Sequence, residues 1–498
     1  MKELQKLVHK LSFQLLQGSL NQYVKGIHYD SRQIKEGYLF VAIEGFRVDG
    51  HRFIPDALER GAVALVVEKP VAVPEGVTCL LVKDSRRALS ALSAAYFDYP
   101  SRHLNLIGVT GTNGKTTTTH LIEAILQQAG EKVGLLGTIV NRIGDRELPA
   151  VHTTPESLDL QALLAQMVEE EVAYAVMEVS SHALALDRTV DCEYDVGVFT
   201  NLSQDHLDFH QNMQEYLKAK GKLFASLGSG VKKRKKYAVI NADDPQSAYL
   251  RQITSVPVVT YGLREESDVQ AKNIDVGTKG VRFQVVSPSG EFPLNLKLTG
   301  KFTVYNALAA VAVGMQEGIP EEEIKQALEG VTGVAGRFEL VDCGQEFAVV
   351  VDYAHTPDGL KNLLETAREM TKGRIITVFG CGGDRDRGKR PLMGEVAARY
   401  SDFCIVTSDN PRSEEPEAII QDIIPGVEKI TRENYKIIVD RYQAIREAIA
   451  MARRDDMVII AGKGHETYQI IQDKILPFDD RKVAREILRG YGYDSDDV

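Results

Sequence analysis

Residues 104–119, LNLIGVTGTNGKTTTT, constrain this chain more than any other stretch. Leu104, Leu106, Ile107 and Val109 make a short apolar run, which predicts a buried strand. Gly108, Gly111 and Gly114 punctuate the stretch, and Lys115 and Thr116 come next. Leu121, Ile122, Ile125, Leu126 and Ala129 then recur at helical spacing, with Gly130 where a helix would be capped.

Strand, glycine loop, Lys-Thr and helix is a layout that cradles a nucleoside triphosphate. Glycines let backbone N–H groups approach phosphate oxygens. The helix N-terminus adds positive potential, Lys115 adds a full charge, and the Thr116 hydroxyl can hold Mg²⁺. Gly108 leaves five residues before Gly114 and Gly111 leaves two, neither of them the commonest spacing. The alternative is an ordinary glycine turn before a helix.

A chain of 498 residues has room for about three domains at ~150 residues each. The net charge of −11 argues against a general nucleic-acid binder, and the basic run 232–236 reads as a solvated loop. Cys79, Cys192, Cys343, Cys381 and Cys404 are scattered without a Cys-x-x-Cys pair. That favours a reducing compartment and no structural zinc. Leu4, Leu7, Val8 and Leu11 predict an amphipathic N-terminal helix rather than a secretory signal. No run approaches the ~20 apolar residues of a membrane span. A cytoplasmic location is expected.

The pattern along the chain is α/β. Residues 1–102 form a first unit, with strands expected at 39–43, 64–67 and 78–82 and helices at 53–60 and 86–97. Residues 103–334 form a second, with apolar runs at 133–136, 173–179, 196–199 and 238–240 and helical stretches between them, such as 158–170. That alternation predicts a mostly parallel sheet covered on both faces. GVAG at 333–336 marks the next boundary, and 335–498 form a third unit with strands at 347–351, 375–379, 403–407 and 457–461. The last residues, 494–498, read as frayed.

In such sheets ligands gather outside the carboxyl ends of the strands. Glu178 ends one strand, where a carboxylate beside a phosphate cradle can ligate Mg²⁺. His206 follows another and could ligate a metal. His206 and His210 lie one helical turn apart, but no third zinc ligand has suitable spacing. Lys220 reads as one lysine on a solvated helical face. Asp352 could hold ribose hydroxyls. Arg385 and Arg412 are suited to gripping a carboxylate, and Asp409 and Asn410 offer partners for an ammonium group. A structural Asn-Pro turn is the other reading of that segment.

Taken together, the motifs resemble a known family. TGTNGKTTT, HTTP, MEVSSHAL, NLSQDHLDFH, YLKAKGKLF, GRFE, DYAHTP, GGDRDRGKRP, DNPR and GKGHE occur in order through all three units. This resembles the Mur ligases of bacterial cell-wall synthesis, whose glycine loop has the same short spacing. The resemblance implies three domains: a smaller N-terminal α/β domain for the UDP end, a central P-loop ATPase with a mostly parallel sheet, and a C-terminal Rossmann-like domain for the incoming amino acid.

It also implies site residues. The loop Gly111, Thr112, Asn113, Gly114, Lys115, Thr116 and Thr117 would hold ATP, with Asn306, Arg337 and Asp352. Ser31, Thr153, Thr154, Ser181 and Arg188 would bind the UDP-sugar substrate; His152 is left open. Thr116, Glu178, His206 and Lys220 would serve Mg²⁺, Lys220 as a carboxylated lysine, which reverses the bland reading above. Arg385, Asp409, Asn410, Pro411, Arg412, Gly462 and Glu466 would bind the amino acid. Full DNPR, with Arg412, implies meso-2,6-diaminopimelate added to UDP-N-acetylmuramoyl-L-alanyl-D-glutamate through an acyl phosphate. The expected protein is a monomer with no nucleic-acid partner. The competing expectations are an L-lysine-adding relative, a folylpolyglutamate synthetase-like ligase and a non-catalytic nucleotide switch.

Overall fold

The computed structural model describes residues 1–45, 48–264, 266–277 and 280–493. The frayed tail expected at 494–498 lies outside them.

Three sheets organise the chain. The first has five strands, in the order Gln14–Gln17, Thr78–Leu81, Ala62–Val67, Tyr38–Val41 and Gly26–His28. The central sheet has eleven. Its middle is parallel: Val133–Leu136, Tyr174–Glu178, Asn105–Thr110, Val196–Phe199, Tyr237–Asn241, Val258–Gly262 and Val269–Gly277. Antiparallel pairs extend both edges, Val140–Ile143 with Arg146–Pro149 and Gly280–Ser287 with Gly290–Leu296. The third sheet has six strands, all parallel except its edge strand Glu339–Leu340.

Topology places the site. Strand Asn105–Thr110 lies between Tyr174–Glu178 and Val196–Phe199, where the strand order reverses. The cradle loop therefore leaves the sheet at a switch point, where a crevice opens. Helix Lys115–Gln128 buries Leu121, Ile122, Ile125 and Leu126 against this sheet. Helix Lys301–Gln316 packs beside it. Its Ala307, Ala309, Ala310 and Ala312 are fully buried, so the backbone can approach closely and Asn306 reaches the cradle.

Two expectations fail. The N-terminal helix is one turn, Leu4–Leu7, because Lys2–Glu3 pairs as a strand with Tyr23–Val24 and the turn closes at Val8. The basic run is not wholly solvated. The Lys232 side chain is only 3% exposed and ion-pairs with Asp195, and it also donates to the Leu104 carbonyl at 2.7 Å. Asp195 is buried too, so a solvent-facing Lys232 would leave a carboxylate without its cation.

In the third unit Arg441 and Asp480 form an ion pair whose side chains are both 0% exposed. Arg441 also donates to the Ala461 carbonyl at 3.0 Å, which ties a strand end to helix Asp480–Gly490. Removing one partner leaves a buried charge uncompensated, at about 3–5 kcal/mol. Arg441→Met is expected to lower unfolding stability by that amount in urea titrations. A change below about 1 kcal/mol would contradict this.

Candidate active site

A cleft of about 940 Å³ opens where the carboxyl ends of the second and third sheets face each other. The cradle forms one wall. Gly114 has φ +84°, and a Cβ there would lie 2.4 Å from Asn306 Oδ1, so only glycine fits. Thr200 Oγ1 donates to the Asn113 carbonyl at 2.6 Å, and Asn113 N–H donates to Asn201 Oδ1 at 3.0 Å. The loop is thus stitched to the next strand end. Lys115 Nζ donates to the Gly111 and Thr112 carbonyls at 3.0 and 2.8 Å. Burial lowers its pKa, and the nearby Glu178 carboxylate works against that.

Glu178 is 1% exposed and accepts from Thr138 N and Oγ1 at 2.8 and 3.0 Å. Thr153 Oγ1 lies 3.0 Å from the Thr138 hydroxyl. Thr154 Oγ1 donates to the Glu178 carbonyl at 2.8 Å, and Arg188 Nη1 donates to the Thr154 carbonyl at 3.1 Å. His206 stands at φ 55°, its ring edge-on to His182, and burial holds its pKa far down, so the imidazole is neutral. Lys220 is 1% exposed, which overturns the solvated-face reading. Its Nζ donates to the Gly111 carbonyl at 2.7 Å. Burial, then repulsion from Lys115, pushes its pKa well below the ordinary lysine value.

The opposite wall belongs to the third unit. Arg337 Nη2 donates to Thr116 Oγ1 at 2.9 Å, and its guanidinium lies over the Tyr353 ring. Asp352 accepts from Phe338 and Ala354 N–H, each at 2.7 Å; burial raises its pKa and Arg337 lowers it. Back on the cradle side, Thr118 Oγ1 donates to Asn306 Oδ1 at 3.3 Å. Deeper in, Asn410 Nδ2 donates to Glu466 Oε2 at 2.8 Å. Asp409 Oδ2 is buried without a partner among the described residues, and a Cβ on Gly462 would lie 2.5 Å from it. Arg412 stands at φ 52° and its Nη1 donates to the Gly383 carbonyl at 2.9 Å. Burial, then the nearby Arg385 charge, lowers its pKa. Two guanidiniums facing one cleft make a strong site for anions.

Most of the predicted residues meet in this cleft. Gly111, Lys220 and Pro411 sit just behind its lining. Ser181 is turned away, its Oγ 3.0 Å from His210 Nε2. Ser31 is buried in the first unit, at the start of a helical turn capped by Asp30, and does not line the cleft. Among the described residues no group of three or more His, Cys, Asp or Glu is placed to hold a metal. The Thr116 hydroxyl and Glu178 carboxylate that line the cleft are oxygen donors of the kind Mg²⁺ takes, commonly one or two carboxylates with substrate phosphates.

Comparisons with known proteins point to one family. Family models match all three units: "Mur ligase family, catalytic domain" over residues 23–103, "Mur ligase middle domain" over 109–314, and "Mur ligase, glutamate ligase domain" over 336–464. A protein of Syntrophomonas wolfei named UDP-N-acetylmuramoyl-L-alanyl-D-glutamate–2,6-diaminopimelate ligase is 51% identical, across 98% of this chain and 99% of its own. The chain belongs to the Mur ligase family. A Geobacillus thermodenitrificans relative of the same name is 52% identical over 94% of this Mur ligase and 96% of its own length. A solved structure of a protein so named superposes at TM-score 0.68 with 31% identity, covering 99% of both chains. The Thermotoga maritima MurF ligase in complex with ADP shares the fold, at TM-score 0.63 and 19% identity over 94% of this chain and 96% of that one.

Several residues of this Mur ligase's site escaped the reading of its sequence. Lys389 Nζ donates to Asp205 Oδ1 at 3.3 Å, and His355 Nε2 lies 3.8 Å from the same carboxylate. Asn113 Nδ2 donates to Asp358 Oδ2 at 3.1 Å. These contacts join the cradle side to the third unit. Lys463 is 0% exposed and bonds both Asn410 and Glu466. All lie in or beside the motifs shared with the family, but no periodic spacing marks them, since most of their partners are distant in sequence.

Proposed function

We propose that this Mur ligase joins meso-2,6-diaminopimelate to the D-glutamate of UDP-N-acetylmuramoyl-L-alanyl-D-glutamate, forming ADP and phosphate, in cytoplasmic peptidoglycan-precursor synthesis. One observation carries the reading. Arg385, Arg412 and Asp409, whose Oδ2 has no partner among the described residues while Oδ1 accepts from the Asn410 N–H, face the same cleft as the Lys115 cradle. A diamino diacid offers carboxylates to the two guanidiniums and an ammonium group to Asp409, while a second amine stays free to react. The names borne by the relatives at about half identity support the same substrates.

In this reading residues 1–102 hold the UDP end through Ser31, 103–334 bind ATP, and 335–498 bind the amino acid. Thr153, Thr154, Ser181 and Arg188 receive the muramoyl-dipeptide portion. The loop 111–117, Asn306, Arg337 and Asp352 hold the nucleotide, and the protein acts as a monomer.

A terminal carboxylate oxygen of the D-glutamate attacks the γ-phosphorus, and the bond to ADP breaks. Lys115 stabilises charge on the transferring group. The free amine then attacks the acyl carbon. The tetrahedral intermediate expels phosphate, and the amine proton leaves to solvent. No side-chain nucleophile takes part; the residues orient, stabilise charge and exclude water. Mg²⁺, held by Thr116, Glu178, His206 and carboxylated Lys220, would neutralise phosphate charge when bound.

The test of the acyl phosphate is isotopic. With ¹⁸O in the D-glutamate carboxylate, one labelled oxygen should appear in released phosphate. Unlabelled phosphate would overturn the mechanism.

Lys220 carries a second prediction. Its buried amine, whose pKa burial and Lys115 push down, can add CO₂ to give a carbamate and a proton. Intact mass at neutral pH should show one added CO₂, lost in Lys220→Ala. That variant should turn over about 100-fold more slowly. Wild-type turnover in Lys220→Ala would contradict the role.

A further inference from the structure

The two arginines assigned to the amino acid stand on different loops, Arg385 after strand Ile375–Phe379 and Arg412 after strand Phe403–Val406. Each loop has a residue in the left-handed region, Asp384 at φ 52° and Arg412 at φ 52°. Such conformations persist only where surroundings enforce them. The guanidiniums also repel each other. Something must hold both loops in place.

The geometry points to Arg390 and Glu414, which the proposed function above does not use, as the positioning pair that sets the separation of Arg385 and Arg412, and through it the preference for an amino acid with a second carboxylate. Arg390 is the first-turn residue of helix Lys389–Tyr400 and is 0% exposed. Its Nη2 and Nη1 donate to Glu414 Oε1 and Oε2 at 2.7 and 3.0 Å, a two-pronged pair. Glu414 Oε1 also accepts from the Asp384 N–H at 2.6 Å, and Arg387 Nη2 donates to Oε2 at 2.9 Å. Arg390 Nη1 reaches Asp422 at 2.8 Å as well, which ties in helix Pro416–Glu428.

One carboxylate from the Arg412 loop therefore grips the backbone of the Arg385 loop. The loops also touch directly. Gly383 N–H donates to the Asn410 carbonyl at 2.9 Å, and Ser413 Oγ donates to Asp384 Oδ1 at 2.6 Å. A Cβ on Gly383 would lie 1.9 Å from the Pro411 carbonyl oxygen, so the spacing leaves no slack. Glu414 does not line the cleft, so its part is placement rather than contact with substrate.

This inference rests on the diaminopimelate reading, and the experiment separates the two. Phosphate release is measured with the UDP-dipeptide and ATP, using meso-diaminopimelate or L-lysine, for the wild type, Glu414→Gln and Glu414→Asp. If wild-type enzyme does not prefer diaminopimelate, the substrate reading fails before any variant is consulted. If it does, Glu414→Gln is expected to raise the diaminopimelate KM at least tenfold. The KM values for ATP and UDP-dipeptide should stay within twofold, and the diaminopimelate-to-lysine preference should fall by a similar factor of ten. Glu414→Asp keeps the charge but shortens its reach, and should fall between. An unchanged diaminopimelate KM and preference would overturn the proposal. So would an equal rise in all three KM values, or loss of folded protein in both variants, since either assigns the pair to general stability.

Discussion

Lys115→Ala is expected to slow ATP-dependent phosphate release by about 1,000-fold, with little effect on folding. The magnitude follows from removing one preorganised positive group where charge develops in the transition state. Folding should tolerate the change because, among the described residues, the ammonium's hydrogen bonds go to two loop carbonyls, at 3.0 and 2.8 Å. The Gly111 carbonyl keeps its bond from Lys220 at 2.7 Å, and Thr112 lines the open cleft, where water can replace the ammonium. The loop keeps its stitches through Thr200 and Asn201. Steady-state phosphate release beside a thermal melt checks both halves. Near-normal release would remove the cradle from the mechanism.

Arg412→Ala carries the second large effect. Its guanidinium is half-buried, faces the cleft and, among the described residues, bonds to backbone carbonyls alone. A charged hydrogen bond to a substrate carboxylate contributes about 1.5–3 kcal/mol, and a two-pronged contact more. The kcat/KM for diaminopimelate should therefore drop about 100-fold or more, while ATP affinity holds. Discrimination against L-lysine should largely disappear, because a half-buried guanidinium left without a carboxylate by lysine is what rejects it. Arg412→Lys should behave nearly as badly, since an ammonium cannot reproduce the planar fork. Undiminished use of diaminopimelate by Arg412→Ala would refute this role.

The site was legible where its signals are local. Strand Asn105–Thr110, the glycine loop and helix Lys115–Gln128 succeed one another in a single pattern, so periodicity and residue type identify them. The strand ends at Glu178, Asp352 and Asp409 could be found because apolar runs stop there. Edge strands were less legible. Val281, Phe283 and Val285 alternate with polar residues as a half-exposed strand should, but they make no continuous apolar run like those of the central strands. Contacts made across the fold left no trace at all. Asp205 and Lys389 lie 184 residues apart, and Asp195 meets Lys232 only after the chain has folded. Lys220 is the sharpest case. Lys218 and Lys222 flank it in the same helix, and only burial against the Gly111 carbonyl singles it out. The resemblance implies a role for Lys220, and the carbamate proposed for it rests on that burial beside the cradle.

The central claim is that one cleft activates a carboxylate with ATP while two guanidiniums select a two-headed amino acid. The most direct measurement is phosphate release by the wild-type protein with UDP-N-acetylmuramoyl-L-alanyl-D-glutamate, offering meso-diaminopimelate or L-lysine in turn. The account predicts turnover with diaminopimelate and at least about 100-fold lower kcat/KM with lysine, the size of one lost charged contact. Equal or better use of lysine, or release that ignores both amino acids, would contradict it.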